Sequence, residues 1–232
     1  MKILSIILFV LVGFTNAQVK DAEQILNEVK DKFNKIKDYE VDVSIFVDVD
    51  FLKVPESNAK IYFKQPDLVK LDSEGFALLP KEGVNFSPIK LLNQDYTAIF
   101  VKEDIYDDHK VDVVKVIPNN DSSGVVLSTL WIDIEGHYIR KVETTTKSSG
   151  TLKVELSYKN KDKWGLPSSV VFSFNVSDVQ LPASFSGEIG GDQKEETKKK
   201  KRGESMSGKV TLTYSNYKVN QGLSAEFFEE SK

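Results

Sequence analysis

Apolar and polar side chains alternate along most of the chain, and this pattern predicts a protein built mainly of β-strands. The longest alternating segment has an apolar side chain at every second position: Tyr39, Val41, Val43, Ile45, Val47, Val49 and Phe51. Because successive side chains of a strand point to opposite faces, this segment predicts one long strand with one buried face. Segments rich in Val, Ile and aromatic residues predict further strands at 59–64, 68–72, 96–102, 110–117, 126–134, 137–146, 151–158, 166–176 and 209–219.

The connections between these segments indicate how the strands pair. Gln65-Pro66-Asp67 and Glu135-Gly136 are turn signals between neighbouring strands. A parallel pair needs a crossover of a dozen or more residues, usually a helix, and nothing between these strands provides one. We therefore expect an antiparallel meander of about nine to eleven strands.

Two segments have a helical pattern instead. Apolar residues recur at spacings of three and four between 21 and 37, and Asp21 with Gln24 resembles a capping box; the apolar positions are Ala22, Ile25, Leu26, Val29, Phe33 and Ile36. Ser87 followed by Pro88 is typical of a helix start, which predicts a short second helix at 88–93. These two helices are the helical cover that we expect for the sheet.

The chain begins with the pattern of an export signal. Lys2 is followed by an apolar stretch at 3–14 and by Thr15-Asn16-Ala17, which together predict a signal peptide at 1–17. At 12 residues, the apolar stretch is shorter than the roughly 20 residues that a bilayer-spanning helix needs. The remainder, 18–232, is expected to be one domain, in which the charged segment 180–207 lacks apolar periodicity and is expected to be a mobile loop.

The composition argues against several classes of function. The 232 residues include 31 Lys and Arg against 35 Asp and Glu, a net charge of −4 that argues against a nucleic-acid partner. No Cys is present, which excludes disulfides, thiolate nucleophiles and iron–sulfur clusters, and the two His residues lie in no metal-binding spacing. The sequence contains no nucleophile elbow, P-loop or dinucleotide fingerprint. We therefore expect no enzyme activity, no catalytic residue, no metal site and no cofactor.

The apolar faces of the strands are the strongest functional clue. A twisted sheet of this many strands tends to curl, and two helices provide little material to fill its concave side. Either bulky side chains fill that side, or a cavity remains there for an apolar ligand. The candidate lining residues are Val43, Ile45, Val47, Ile61, Phe63, Leu71, Trp131, Val154, Leu156, Phe172 and Phe174.

The order of these features resembles the lipoprotein-carrier family typified by LolA, with its relatives LolB and the sensor RseB. The resemblance spans most of 18–232. It includes the helix that opens at 21–26 and the strand that ends in Phe63-Lys64-Gln65-Pro66-Asp67. The segment at 87–92 takes the place of part of the family's lid, and 130–133 with 139–143 resemble the family's late hairpin.

The resemblance implies an α+β fold: an unclosed antiparallel β-barrel with an N-terminal helix and a short second helix as a lid. It also implies a periplasmic carrier, expected to be monomeric, that binds acyl chains of lipoproteins or related lipids, with a membrane donor or acceptor complex as a further partner. Two features depart from the family pattern. Segment 73–80 replaces the usual Asp-Gly-Lys hairpin, and the strand at 39–51 lacks the Arg that helps carriers grip or release cargo. A sensor or protein-interaction module with a self-filled barrel therefore remains the alternative.

Overall fold

The computed structural model describes residues 20–49, 52–53, 55–73, 92–120, 124–147, 150–159, 163–177 and 205–229. Helix α1 (Ala22–Asn34) comes first, and helix α2 (Glu226–Glu229) comes last. Eleven strands are described between them: β1 (Asp38–Val49), β2 (Leu52–Lys53), β3 (Ser57–Lys64), β4 (Leu68–Ser73), β5 (Tyr96–Tyr106), β6 (His109–Pro118), β7 (Val125–Asp133), β8 (Ile139–Thr146), β9 (Gly150–Ser157), β10 (Ser169–Ser177) and β11 (Ser205–Val219).

All eleven strands belong to one antiparallel sheet. Ten of them follow the order β4-β3-β1-β11-β10-β9-β8-β7-β6-β5, and β2 pairs with β1 beside this path. Among the described residues the two end strands, β4 and β5, do not pair with each other, so the sheet is not closed. The predicted unclosed antiparallel barrel with an N-terminal helix is therefore confirmed.

One face of the sheet carries a row of directly opposed apolar side chains that crosses eight strands from β1 to β5. The row consists of Val47, Val210, Phe172, Val154, Val142, Leu130, Val114 and Phe100. Seven of these eight side chains are buried, and Phe100 is partly buried against them. We call the face that bears this row the concave face and the opposite face the convex face.

Helix α1 lies across the concave face and reaches strands near both ends of the sheet order. Its apolar stripe of Ala22, Ile25, Leu26 and Val29 is buried in the same core as the row. On the β5 side, Lys30 Nζ lies 2.8 Å from the Tyr96 hydroxyl. On the β3 side, the ring centroids of Phe33 and Phe63 are 5.7 Å apart.

The start of α1 differs in detail from the prediction. The side chain of Asp21 caps the helix by accepting a 2.9 Å hydrogen bond from the backbone N–H of Glu23. Gln24 does not complete a capping box, because its amide donates to Glu28 one turn further along the helix, at 3.2 Å. The helix also ends at Asn34, three residues before the predicted end, although Ile36 remains fully buried.

Other predictions concern residues that the structure describes only in part. Of the predicted helix at 88–93, residues 88–91 lie outside the described residues, while Leu92 is helical and buried in the core. The predicted signal peptide at 1–17 and most of the predicted loop at 180–207 also lie outside them. Helix α2 was not predicted; its Phe227 packs against Tyr62, with ring centroids 4.8 Å apart.

Candidate functional site

Ten of the eleven predicted lining residues lie on the concave face. Eight of them are buried: Val43, Ile45, Val47, Ile61, Phe63, Val154, Leu156 and Phe172. Leu71 and Phe174 are partly buried against the same core. The apolar stripe of α1 packs in that core as well, so helix and sheet together form the wall of the candidate site.

Trp131 does not join this group, and its predicted place on the concave face is wrong. It lies between Leu130 and Ile132, which are both buried in the concave core. Because neighbours on a strand point to opposite faces, the Trp131 indole lies on the convex face. There the Nζ of Lys141, its direct partner on β8, lies 4.0 Å from the indole ring.

Three tyrosines on the concave face were not among the predicted site residues. Tyr39 is opposite Phe63, and Tyr214 is opposite Val43. Tyr217 lies on the same face as Tyr214 because β11 has a bulge of one extra residue between Ser215 and Lys218, the partners of Asp42 and Glu40. Asn216 in this bulge has a φ of 56°, and its amide donates to the Asp42 carboxylate at 2.9 Å.

The three tyrosine rings pack with the two neighbouring phenylalanines. The centroid of Tyr39 is 5.0 Å from that of Phe63 and 5.8 Å from that of Tyr217. The rings of Tyr214 and Tyr217 are stacked at 6.1 Å. Together with Phe33 of α1, these residues form what we call the aromatic cluster: Phe33, Tyr39, Phe63, Tyr214 and Tyr217.

The hydroxyls in this cluster differ in their hydrogen bonding. The Tyr217 hydroxyl donates to the Pro167 carbonyl at 2.9 Å. No described residue is hydrogen-bonded to the hydroxyl of Tyr39 or of Tyr214. Since the described residues contain no fully buried side-chain oxygen without a partner, these two hydroxyls keep some accessible surface. Burial raises the pKa of the Tyr39 phenol to about 12, and burial also raises the pKa of Tyr214.

Two groups of paired charges lie elsewhere in the fold. The Lys20 ammonium lies 2.7 Å from the buried Asp112 carboxylate and 2.8 Å from Glu103. Partial burial opposes the charge on Lys20, but the hydrogen bonds to both carboxylates outweigh burial and raise its pKa. The buried Arg140 guanidinium is paired with Asp133 at 2.7 Å. These cations are thus already neutralised by carboxylates.

The arrangement suits the binding of an apolar ligand. The candidate site is a broad apolar surface with two phenols whose hydroxyls have no partner among the described residues. In the described ranges, no three acidic or imidazole side chains converge as metal ligands would. No helix in the described part of the chain has the length and apolarity to cross a membrane.

The fold is shared with several solved structures. A DUF1329 family protein from Desulfovibrio piger matches with a TM-score of 0.56 at 13% identity, over 90% of this chain and 98% of that one. A LolA superfamily protein from Nitrosomonas europaea matches with a TM-score of 0.55 at 12% identity, over 90% and 97%. A putative outer membrane lipoprotein-sorting protein domain from Vibrio parahaemolyticus gives 0.52 at 12% identity, over 90% and 98%.

At such identities, the likeness concerns the fold. The sequence matches no protein-family model and no curated protein sequence. The three matches nevertheless cover nearly the whole of each matched chain. The protein therefore has a LolA-like fold.

Proposed function

We propose that the protein is an exported, non-enzymatic carrier that binds acyl chains of lipoproteins or related lipids on its concave face. The observation that carries this proposal is the apolar row across eight strands of an unclosed sheet, over which helix α1 packs. The fold shared with a putative lipoprotein-sorting domain supports it. So does the predicted signal peptide, from which we propose a periplasmic location for the region 18–232.

Binding would be driven by the transfer of methylene groups out of water. Each CH₂ that leaves water contributes about 0.8 kcal/mol as an upper scale. The stripe of α1 that includes Leu26 and Val29 already packs in the concave core. A ligand must therefore displace α1 at least in part, and its apparent affinity is reduced by the free energy of that opening.

The same packing favours a second candidate function. If Leu26, Val29 and Leu92 fill the concave side completely, the barrel is self-filled. The protein would then act as a sensor or interaction module that recognises a protein partner through its outer surface. The two candidates differ in whether the isolated protein takes up an apolar ligand.

The first experiment is native mass spectrometry of region 18–232 purified without detergent, followed by extraction into organic solvent. Co-purifying mass that extracts as acylated lipid is the result expected of a carrier. An unliganded mass, together with no uptake of a fluorescent fatty-acid probe, would contradict the carrier proposal and favour the self-filled module.

Two neighbouring residues on β1 provide a matched pair of variants that tests where the ligand binds. Ile45 is 1% exposed on the concave face, and Phe46 is 52% exposed on the convex face. We expect Ile45→Asp to abolish probe uptake, because an unpaired buried carboxylate is strongly unfavourable, and Phe46→Asp to leave uptake unchanged.

Ile45→Asp also threatens folding, so a third variant is needed. Leu71 lies on the concave face of β4 but is only partly buried, and Leu71→Asp is expected to fold and to weaken uptake. Circular dichroism checks that each variant is folded. Undiminished uptake by a folded Leu71→Asp protein would place the ligand elsewhere.

A further inference from the structure

The hydroxyls of Tyr39 and Tyr214 have no partner among the described residues, which distinguishes them from the other tyrosines that pack against the concave core. Tyr217 donates to the Pro167 carbonyl at 2.9 Å, and Tyr158 donates to the Ile139 carbonyl at 2.7 Å. Tyr96 is bonded to Lys30 of α1 at 2.8 Å. Those three hydroxyls hold the fold together, whereas those of Tyr39 and Tyr214 have no described partner.

Burial takes both phenol rings largely out of water, while their hydroxyls keep enough accessible surface for a ligand to reach them. The two phenols both contact the ring of Tyr217, whose centroid is 5.8 Å from that of Tyr39 and 6.1 Å from that of Tyr214. Both rings are fixed, Tyr39 by its stacking on Phe63 and Tyr214 by its stacking on Tyr217. Two pre-positioned O–H donors on one apolar face form a site for a hydrogen-bond acceptor on the ligand.

The surroundings determine which acceptor fits. The concave-face residues next to the phenols on β1, β3, β4 and β11 carry no charge: Val41, Val43, Ile61, Phe63, Leu71 and Leu212. Burial holds both phenols in the neutral, donating form at physiological pH. Arg140, the one buried cation among the described residues, is already paired with Asp133 at 2.7 Å. A carboxylate here would lack a counter-ion, while an ester carbonyl needs only the two donors.

We propose that Tyr39 and Tyr214 donate hydrogen bonds to the ester carbonyl of a bound acyl chain, so that the concave face selects neutral acyl esters over free fatty-acid carboxylates. This inference rests on the proposed carrier function. Tyr214 is four positions along β11 from Val210 of the apolar row, which is roughly 13 Å along the strand. An acyl chain whose carbonyl lies at the phenols therefore reaches the row with its methylene groups.

The test compares three ligands of matched chain length: methyl palmitate, palmitate at about pH 8, and heptadecane. Each competes with a fluorescent apolar probe for the wild-type protein, for the double variant Tyr39→Phe/Tyr214→Phe and for Tyr62→Phe. Tyr62 is the matched control, because its ring packs against Phe227 on the convex face. We expect methyl palmitate to bind the wild type roughly tenfold more tightly than heptadecane, and palmitate to bind more weakly than the ester.

In the double variant the preference for the ester over heptadecane should disappear, while heptadecane binds as before. The double variant should also be at least as stable to heat as the wild type, because it loses two hydroxyls without partners. A purely structural role for these hydroxyls would lower its melting temperature instead. Tyr62→Phe should keep the full preference for the ester.

The outcomes separate this inference from the proposed function. If heptadecane binds but the ester has no advantage, or keeps its advantage in the double variant, the inference is wrong and the carrier proposal stands. If palmitate equals the ester, the selection against carboxylates is wrong. If none of the three ligands displaces the probe from the wild type, the carrier proposal itself fails. If the preference for the ester is confirmed, a diacylglycerol and a diacylated lipopeptide of equal chain length distinguish a lipid from a lipoprotein as the source of the ester.

Discussion

At the scale of single residues, the raised phenol pKa values have a measurable consequence for stability. Burial raises the pKa of Tyr39 to about 12 and also raises that of Tyr214. An unfolded tyrosine loses its proton near about pH 10, so above this pH the unfolded chain binds fewer protons than the folded chain. The free energy of unfolding must then fall as the pH rises from about 10 to 12, by up to about 1.4 kcal/mol per pH unit for each such tyrosine.

Urea unfolding at a series of alkaline pH values measures this slope. The variant Tyr39→Phe should show a shallower loss of stability with pH, because one of the late-titrating phenols is gone. The phenolate absorbance of the folded wild type should likewise rise in at least two phases. An identical pH slope for the wild type and the variant would mean that Tyr39 titrates as it does in the unfolded chain.

The sequence predicts the face of a side chain only where alternation is unambiguous. Val41, Val43 and Ile45 alternate with polar residues, and all three lie on the concave face. Leu130-Trp131-Ile132 is apolar throughout, so its pattern fits either orientation, and the choice of Trp131 is wrong. Tyr214 and Tyr217 share a face only because of the bulge at Asn216, and no period in the sequence indicates an extra residue.

At the scale of elements, α1 is held across the sheet by separate polar contacts along its length. Lys30 Nζ lies 2.8 Å from the Tyr96 hydroxyl and 4.9 Å from the centre of its ring. Lys32 Nζ donates to the Gly136 carbonyl at 2.7 Å, and Glu28 lies 3.1 Å from His137. If α1 must move to admit a ligand, each of these contacts contributes to the free energy of its opening.

The variant Lys30→Met tests this role of α1. Losing the hydrogen bond to Tyr96 should favour opening of the helix by about 0.5–1.5 kcal/mol, which increases the open population severalfold. Hydrogen exchange of the α1 amides should accelerate accordingly, with little change in β8. Lys35→Met makes the same chemical change at an exposed position just after the helix and serves as the control. Equal protection of α1 in both variants would show that Lys30 does not hold the helix in place.

The strands and the first helix could be predicted well, because their apolar residues recur regularly: at every second position in the strands, and at every third or fourth position in the helix. Strands β1 and β3 to β11 were all expected, with ends that differ by a few residues. The two-residue β2 and the four-residue α2 are too short to show any period. What fixes α2 is tertiary: the ring of Phe227 packs against Tyr62, and the ammonium of Lys70 lies 4.2 Å from that ring.

At the scale of the whole molecule, the pairing of β1 with β11 joins two parts of the sheet. Strands β3 and β4 are joined to the rest of the sheet through β1. Strands β5 to β10 are joined to β1 through β11. Beside this seam, the buried Asp38 carboxylate accepts the backbone N–H of Gln221 at 2.8 Å. The Asn220 side chain accepts the N–H of Lys37 at 2.7 Å and donates to the carbonyl of Lys35 at 3.0 Å.

The sequence could not have shown this seam, although it predicts both of its strands. A meander alone would pair each strand with its neighbours in sequence, whereas β1 and β11 come from opposite ends of the described chain. The pairing follows from the need of a curled sheet to bury both of its ends around one core. Ile45 on β1 and Leu212 on β11 face each other directly in that core, each 1% exposed.

Leu212 therefore provides the test of whether the two parts of the sheet unfold together. Leu212→Ala removes a buried side chain that faces both Ile45 and Val170, and we expect it to lower the free energy of unfolding by about 2–5 kcal/mol. Thr213→Ala, one residue along on the convex face and exposed, should change it by less than about 0.5 kcal/mol. Since the seam is shared, hydrogen exchange should accelerate equally in β3 and in β8. Loss of protection in β3 with full protection in β8 would mean that the N-terminal strands open separately, and that the concave face can be uncovered from the side of β4 without global unfolding.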